Sequence, residues 1–375
     1  MQPIYLDFNA STPVHPQVEA AMQAAAARHG NPSSSHWAGS EARAALELGR
    51  TQVADFLGCT PEEVVFTSGG SEANNLALKG CFHAARGAGP HLVTTAVEHP
   101  SVSAPAQFLA RQGARVTYLP VDRRGLVDPE ALRRALGPHT ILVSIMHANN
   151  ETGAIQPIAA CAAIARDHGV AFHTDAAQSV GKIPARVAEL GVDLLSVAGH
   201  KLYAPKGIGA LYVRAGTALE PLVHGAGQQH GRRAGTENAA LAAALGAACV
   251  LAQAWMASAS ALRALRDEFW QALRATFGGQ VTLNGEPEHC LPNTLNVSFA
   301  GRDAQTLVAG LSEQGVAVSA GSACHSGRVE VSAVLRAMGV SESAGRGAIR
   351  FSLGRETTAA QLREVITRLA RVLKA

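Results

Sequence analysis

The sequence predicts an α/β protein: a large, mostly parallel sheet with helices on both faces, followed by a smaller α+β layer. Three observations lead there. From about residue 60, short β-branched runs alternate with helix-like segments. The full helical segments open on Pro and close on Gly, which is repeated βα punctuation. Beyond about Phe277 the alternation stops and the chain changes character.

In chain order, VVF (64–66) ends in a glycine turn, after which Ser71 and Glu72 open a helix. The strand candidates that follow are HLVTTAV (91–97), RVTYLPV (115–121), TILVSIMH (140–147), VAFHTDA (170–176), DLLSVAG (193–199) and GIGALYVR (207–214). Helices are expected at PEALRRAL (129–136) and PIAACAAIARDHG (157–169). Residues 237 to about 277 read as one or two long, Ala-rich helices. Strands at PNTLNVSF (292–299) and AIRFSLG (348–354), with helices at 303–315 and 357–374, make the smaller layer. The expected division is a large domain over 13–256 and a small one formed by 1–12 and 257–375.

At 375 residues, with 47% hydrophobic and 16% charged content, the chain can bury real cores and is not a disordered sequence. Lys+Arg number 32 against 29 Asp+Glu, spread along the chain, so no electrostatic case exists for a nucleic-acid or anionic-membrane surface. A small-molecule partner is expected. The six cysteines, Cys59, Cys81, Cys161, Cys249, Cys290 and Cys324, form no C-x-x-C pair. That excludes a zinc ribbon and a thioredoxin-like site, and a disulfide framework does not suit a chain of this size. MQPIYLDFNASTP has neither a basic start nor an apolar run, and later apolar stretches are interrupted by Gly, His or charge, so the expected address is cytoplasmic.

Ligands of open α/β sheets sit at the carboxyl ends of the strands, which directs attention to the polar residues there. Asp175 ends one strand and either pairs with a buried cation or caps the next helix at Gln178. Lys201 follows His200 at the end of the next apolar run; alone it reads equally as a surface lysine. Together they match the two groups that pyridoxal phosphate chemistry asks of a protein, a Schiff-base lysine and an acid for the pyridinium nitrogen. Lys206, between Pro205 and Gly207, is the competing lysine. TSGGSEANN (67–75) offers free helix N–H groups to an anion, or is an ordinary strand-turn-helix with a Ser cap. Thr236 stands before another helix, and His99 either lies on a cofactor ring or is a satisfied loop histidine.

YLDFNASTP, TSGGSEANN, VEHPSV, MHANNETG, HTDAAQSVGK, GHKLYAPKGIGALY, GRRAGTEN, GSACHSG and AIRFSLGR occur in an order that resembles the cysteine desulfurase family. These are class V aminotransferase-like enzymes of the fold-type I pyridoxal phosphate group, and the likeness spans nearly the whole chain. It implies pyridoxal 5'-phosphate bonded to Lys201, Asp175 at the ring nitrogen, Gln178 at the ring oxygen and His99 stacked on the ring. It implies Gly70, Ser71 and His200 at the phosphate, and Thr236 at the phosphate of a partner subunit in a homodimer. Asn150 and Arg350 would hold the carboxylate of L-cysteine, with Asn150 also beside the cofactor. Cys324 would accept the sulfur as a persulfide, leaving L-alanine, and hand it to an acceptor or scaffold protein that the sequence does not name.

The loop around Cys324 supports that role by itself: Gly321, Ser322, Ser326 and Gly327 are small residues that leave a thiolate room to move. The other five cysteines are expected to be inert. Three positions depart from the family pattern. Ala198 replaces a phosphate-binding Ser, Ser71 replaces Thr with its hydroxyl retained, and His325 after Cys324 resembles the selenocysteine lyases. L-selenocysteine is therefore the alternative substrate. A transaminase would have no use for Cys324, and a non-enzymatic homologue would not be expected to keep Lys201.

Overall fold

The computed structural model describes residues 2–85, 87, 89–320 and 331–374, together with the backbone of 324–325 and 328–329. Strand β1 (Ile4–Tyr5) belongs to the smaller layer. The large sheet holds β2 (Val64–Thr67), β3 (His91–Thr95), β4 (Arg115–Leu119), β5 (Thr140–Ser144), β6 (Ala171–Asp175), β7 (Leu194–Ala198) and β8 (Gly209–Val213). They lie in the order β2-β8-β7-β6-β5-β3-β4.

Period-two alternation divides this sheet's side chains between two cores. Leu92, Leu142 and Leu194 face one side, where they meet Leu76 and Ala77 of the helix Gly70–Ala84 and Leu109 of the helix Pro100–Arg111. Their chain neighbours Val93, Val143 and Leu195 face the other side, against the helices Trp37–Leu57, Ile158–Asp167 and Ala239–Met256. With both faces covered, β3, β7 and β8 are buried at every residue. Each such aliphatic side chain contributes roughly 1.5–3 kcal/mol through burial. Two buried histidines are satisfied within the sheet: His91 between Thr140 and Thr117, His173 between Ser144 and Ser196.

The expected mostly parallel sheet is present, with β8 as its exception: it runs antiparallel to both β7 and β2. The intervening segment, residues 199–208, is too short for the crossover that a parallel return needs. The helix Ala239–Met256 departs from the expectation that apolar stretches fall short of a membrane span. Its 18 residues have a mean hydropathy of 1.7, long and apolar enough by length and composition to cross one. In this fold it packs against Trp37–Leu57 instead. A Cβ added to Gly49 would lie 2.5 Å from the Ala242 carbonyl oxygen, and one on Gly246 would lie 2.7 Å from Gly49 Cα. The small residues serve close helix approach.

The smaller layer contains β9 (Val281–Leu283), β10 (Thr294–Phe299), β11 (Val316–Ala317), β12 (Ser319–Ala320), β13 (Cys324–His325), β14 (Arg328–Val329) and β15 (Ala348–Ser352). Its four-stranded antiparallel sheet has the order β12-β15-β10-β9. The helices Ala259–Phe277, Ala304–Glu313 and Ala359–Lys374 cover it around Phe269, Phe299 and Phe351. β1 pairs with β11, and Asp7 bridges Ser352, which brings the N-terminal segment beside β15.

Candidate active site

A cavity of about 650 Å³ opens at the carboxyl ends of the parallel strands, closed on one side by Arg350 of β15. Asp175, the last residue of β6, is buried; its Oδ1 accepts from the Ala177 amide at 2.9 Å and its Oδ2 from Asn74 Nδ2 at 2.7 Å. It thus caps a turn over 177–182, where a helix was expected, and also presents a fixed carboxylate to the cavity. Lys201 ends the short turn Gly199–Lys201 that follows β7. Its Nζ donates to the carbonyl oxygen of Asn9 and, at 2.8 Å, to that of Ala10. Burial and the nearby Arg350 lower its pKa to about 8, against the opposing pull of Asp7 and Asp175. Lys206 also lines this cavity, but it is exposed.

The helix Gly70–Ala84 begins at the cavity with Gly69 as its cap, at φ 151 and with no side-chain capping bond. The first amides of a helix have no intrahelical acceptor, so those of Gly70 and Ser71 remain available to an anion. Ala198 also lines the wall, its Cβ 3.2 Å from where a Cβ on Gly70 would stand. His200 completes this side; burial, Lys201 and Lys206 push its pKa down to about 4.

His99 is the N-cap of the helix Pro100–Arg111, with Pro100 preset at its first position. Its Nδ1 accepts from the Ser101 amide at 3.1 Å, which assigns the ring proton to Nε2. Burial lowers its pKa, Asp175 raises it and Lys201 lowers it. On the β5 side, Asn149 Oδ1 accepts the amides of Glu151 and Thr152 and so shapes the turn that carries Asn150. Arg350 Nη1 donates to the Asn150 carbonyl at 2.8 Å and Nη2 to Asp7 Oδ1 at 2.7 Å. Gln178 sits on the wall with its Nε2 on the Asn9 carbonyl and its Oε1 on Lys182 Nζ.

Gly70, Ser71, His99, Asn150, Asp175, Gln178, His200, Lys201 and Arg350 therefore share one cavity. Thr236 does not. It lines a neighbouring cavity of about 260 Å³, separated by a wall to which Ser68, Gly207 and Ile208 belong. Its loop is pinned to the edge strand β2 by Gln229 Oε1, which accepts the Phe66 amide at 2.7 Å. For Cys324 only the backbone is described, paired with Val329. Its side chain and the loop residues Gly321, Ser322, Ser326 and Gly327 lie outside the described residues. Burial raises the thiols of Cys59, Cys81, Cys161 and Cys249 to about 12 and raises that of Cys290, as expected of inert cysteines.

Four residues of the site's support were not singled out from the sequence. Asp7 and Asn9 lie in YLDFNASTP, whose extended segment carries no periodicity that would aim a side chain. Asn74 was legible in principle, because it stands four positions after Gly70 and therefore on the same helical face. Lys182, which was given no role, is half-buried; burial, Lys201 and Arg350 hold its pKa well below the usual lysine range.

A lysine, a carboxylate and an anion-receptive helix N-terminus at the carboxyl edge of such a sheet define a class: the α/β enzymes that work through a bound aldehyde cofactor. The aminotransferase class-V family model matches residues 4–365. A "Cysteine desulfurase IscS" of Dictyoglomus turgidum is 46% identical over 373 residues, covering 99% of this chain and 94% of that protein. One from Escherichia coli is 45% identical over 363 residues, covering 95% and 89%. Among solved structures, a "NifS-like protein" superposes with a TM-score of 0.93 at 35% identity over the whole of both chains. "SspA in complex with cysteine" does so with a TM-score of 0.82 at 38% identity, covering 93% of this chain and 98% of that one. The chain belongs to the class-V aminotransferase family and, within it, to the cysteine desulfurases. That family depends in general on pyridoxal phosphate.

Proposed function

We propose that the Lys201 cavity holds pyridoxal 5'-phosphate and converts L-cysteine to L-alanine, passing the sulfur to Cys324. The observation that carries this reading is the convergence of Lys201, Asp175, the bare helix N-terminus at Gly70 and Arg350 on a single cavity. The residues fit the cofactor. Asp175 suits a protonated ring nitrogen, the amides of Gly70 and Ser71 with His200 suit the phosphate, and Gln178 and His99 flank the ring.

Bound there, pyridoxal phosphate supplies an electron sink for the pair released at the substrate Cα. Asp175 keeps the proton on the ring nitrogen. Arg350 and Asn150 hold the substrate carboxylate, and so orient the Cα–H bond. Lys201 Nζ takes the Cα proton; a pKa near 8 gives it far more free amine at neutral pH than an ordinary lysine has. His99, on the cavity wall, would face the ring and supply an acid/base group there. The Cys324 thiolate would then take the sulfur: the Cβ–S bond of the substrate breaks with its electron pair passing to Cβ, which takes up a proton as L-alanine forms, and the S–S bond of a persulfide forms on Cys324. A protein acceptor receives the sulfur afterwards.

We place Thr236 at the phosphate of the partner subunit in a homodimer, in keeping with its position across a shared wall from the main cavity. The unpaired thiols of Cys59, Cys81, Cys161, Cys249 and Cys290 suit a reducing cytoplasm. The relatives are named as cysteine desulfurases, so L-selenocysteine, suggested by His325, is not favoured as the substrate.

Mass spectrometry of the holoenzyme after exposure to L-cysteine tests the reading: a mass increase of one sulfur on the Cys324 peptide, with L-alanine in solution, is expected. Lys201→Ala is expected to abolish both and the visible cofactor band. If that variant turns over normally, the assignment of Lys201 is wrong; if Cys324→Ser does, only the persulfide step is lost.

A further inference from the structure

We infer that Asp7 is a positioning residue for the substrate carboxylate, acting through Arg350 where the N-terminal segment meets β15. The inference rests on the proposed role of Arg350 as the holder of that carboxylate. The three guanidinium nitrogens of Arg350 have different surroundings. Nη1 is held by the Asn150 carbonyl and Nη2 by Asp7, while the buried Nε has no partner among the described residues. A guanidinium is planar, so fixing it at two corners fixes where the third points. Asp7 and Asn150 together therefore fix the plane of the guanidinium at the cavity wall.

Asp7 is itself held. Ser319 Oγ of β12 donates to the same Oδ1 at 2.8 Å, and the Asp7 backbone is bridged to Ser352. Arg350 lines the cavity and Asp7 does not, so Asp7 acts from behind the guanidinium. Its charge has a second effect. Arg350 is a largely desolvated cation near Lys201 and lowers the lysine's pKa; among the charged groups acting on Lys201, Asp7 and Asp175 work in the opposite direction. Asp7 thus lets a cation for the carboxylate stand beside the lysine at a smaller cost to that lysine's basicity.

The test is steady-state kinetics of the holoenzyme for Asp7→Asn, with Arg350→Gln in parallel and thermal unfolding as the control for folding. Asp7→Asn is expected to lower kcat/KM for L-cysteine at least tenfold, mostly through KM. It is also expected to shift the pH titration of the bound-cofactor absorption band to lower pH. Unchanged kcat and KM with an unmoved titration overturns the proposal. So does a lowered KM, which would make Asp7 a competitor for Arg350. If Asp7→Asn does not fold, Ser319→Ala decides: a KM raised two- to fivefold supports the proposal, and an unchanged KM overturns it. An unchanged KM in Arg350→Gln would instead sink the assignment of Arg350, a separate failure.

Discussion

At Glu98, burial outweighs two hydrogen bonds. The side chain is enclosed, its Oε1 accepts from Thr95 Oγ1 at 2.7 Å and from the Met146 amide at 3.0 Å, and its Oε2 has no partner among the described residues. Burial raises its pKa to about 8 against those bonds, with Asp175 adding to the rise. The folded state therefore keeps a proton that the unfolded state releases above its ordinary pKa, about 4.3. Stability is full below that value and falls as pH rises toward about 8, by a few kcal/mol in all. Glu98→Gln is expected to remove this fall, so that its urea midpoint depends less on pH than that of the wild type over the same range. An equal slope in both proteins would refute the assignment. Among individual residues, the sequence was most legible where a strand end fixes a direction, as at Asp175 and Lys201. It was least legible for Glu98 and Lys182, because burial of a charged residue is a property of what folds over it.

Elements were legible where they repeat a simple period. The strands from 91 to 214 were anticipated within a few residues, since short β-branched runs between helical segments have few other uses, even at the partly exposed edge strand β4. The helices Pro16–Ala26, Trp37–Leu57 and Pro100–Arg111 were not assigned. The last carries Pro105 in its interior, which argues against a helix locally, and its packing against the sheet overrides that preference. The direction of β8 was available from segment length and was not read. At this scale the helix Gly70–Ala84 makes a prediction. Gly69 sits at φ 151, where side chains are strained, yet a Cβ there would meet nothing within 4 Å. Gly69→Ala therefore costs conformational strain alone, about 1–3 kcal/mol, and relieving it tilts the first amides of the helix. Cofactor affinity, measured by titrating the apo-protein with pyridoxal phosphate, is expected to fall about tenfold while the melting temperature changes by only a few degrees. Unaltered affinity would mean that these amides do not hold the phosphate.

Over the whole molecule, Asn9 ties the two layers together. Its Nδ2 donates to Thr294 Oγ1 of β10 at 2.9 Å, and its Oδ1 accepts from Lys182 Nζ and Asn293 Nδ2, each at 3.1 Å. Lys182 comes from the large layer, and Thr294 and Asn293 from the smaller one. The break proposed between residues 256 and 257 falls in the turn between the helices Ala239–Met256 and Ala259–Phe277, so few covalent links share this work. Asn9→Ala leaves the half-buried Lys182 with one fewer acceptor and is expected to cost about 1–3 kcal/mol in urea unfolding. A change below about 0.5 kcal/mol would show that the layers are held by apolar packing alone.

Asp7 and Arg350 are neighbours in space and 343 positions apart in the chain. A nascent chain on the ribosome can complete the large sheet, with Asp175 and Lys201 in place, long before β15 emerges to pair with β10 and meet Asp7. The Arg350 side of the cavity is therefore the last part of it to form. Until then Lys201 stands without Arg350 beside it.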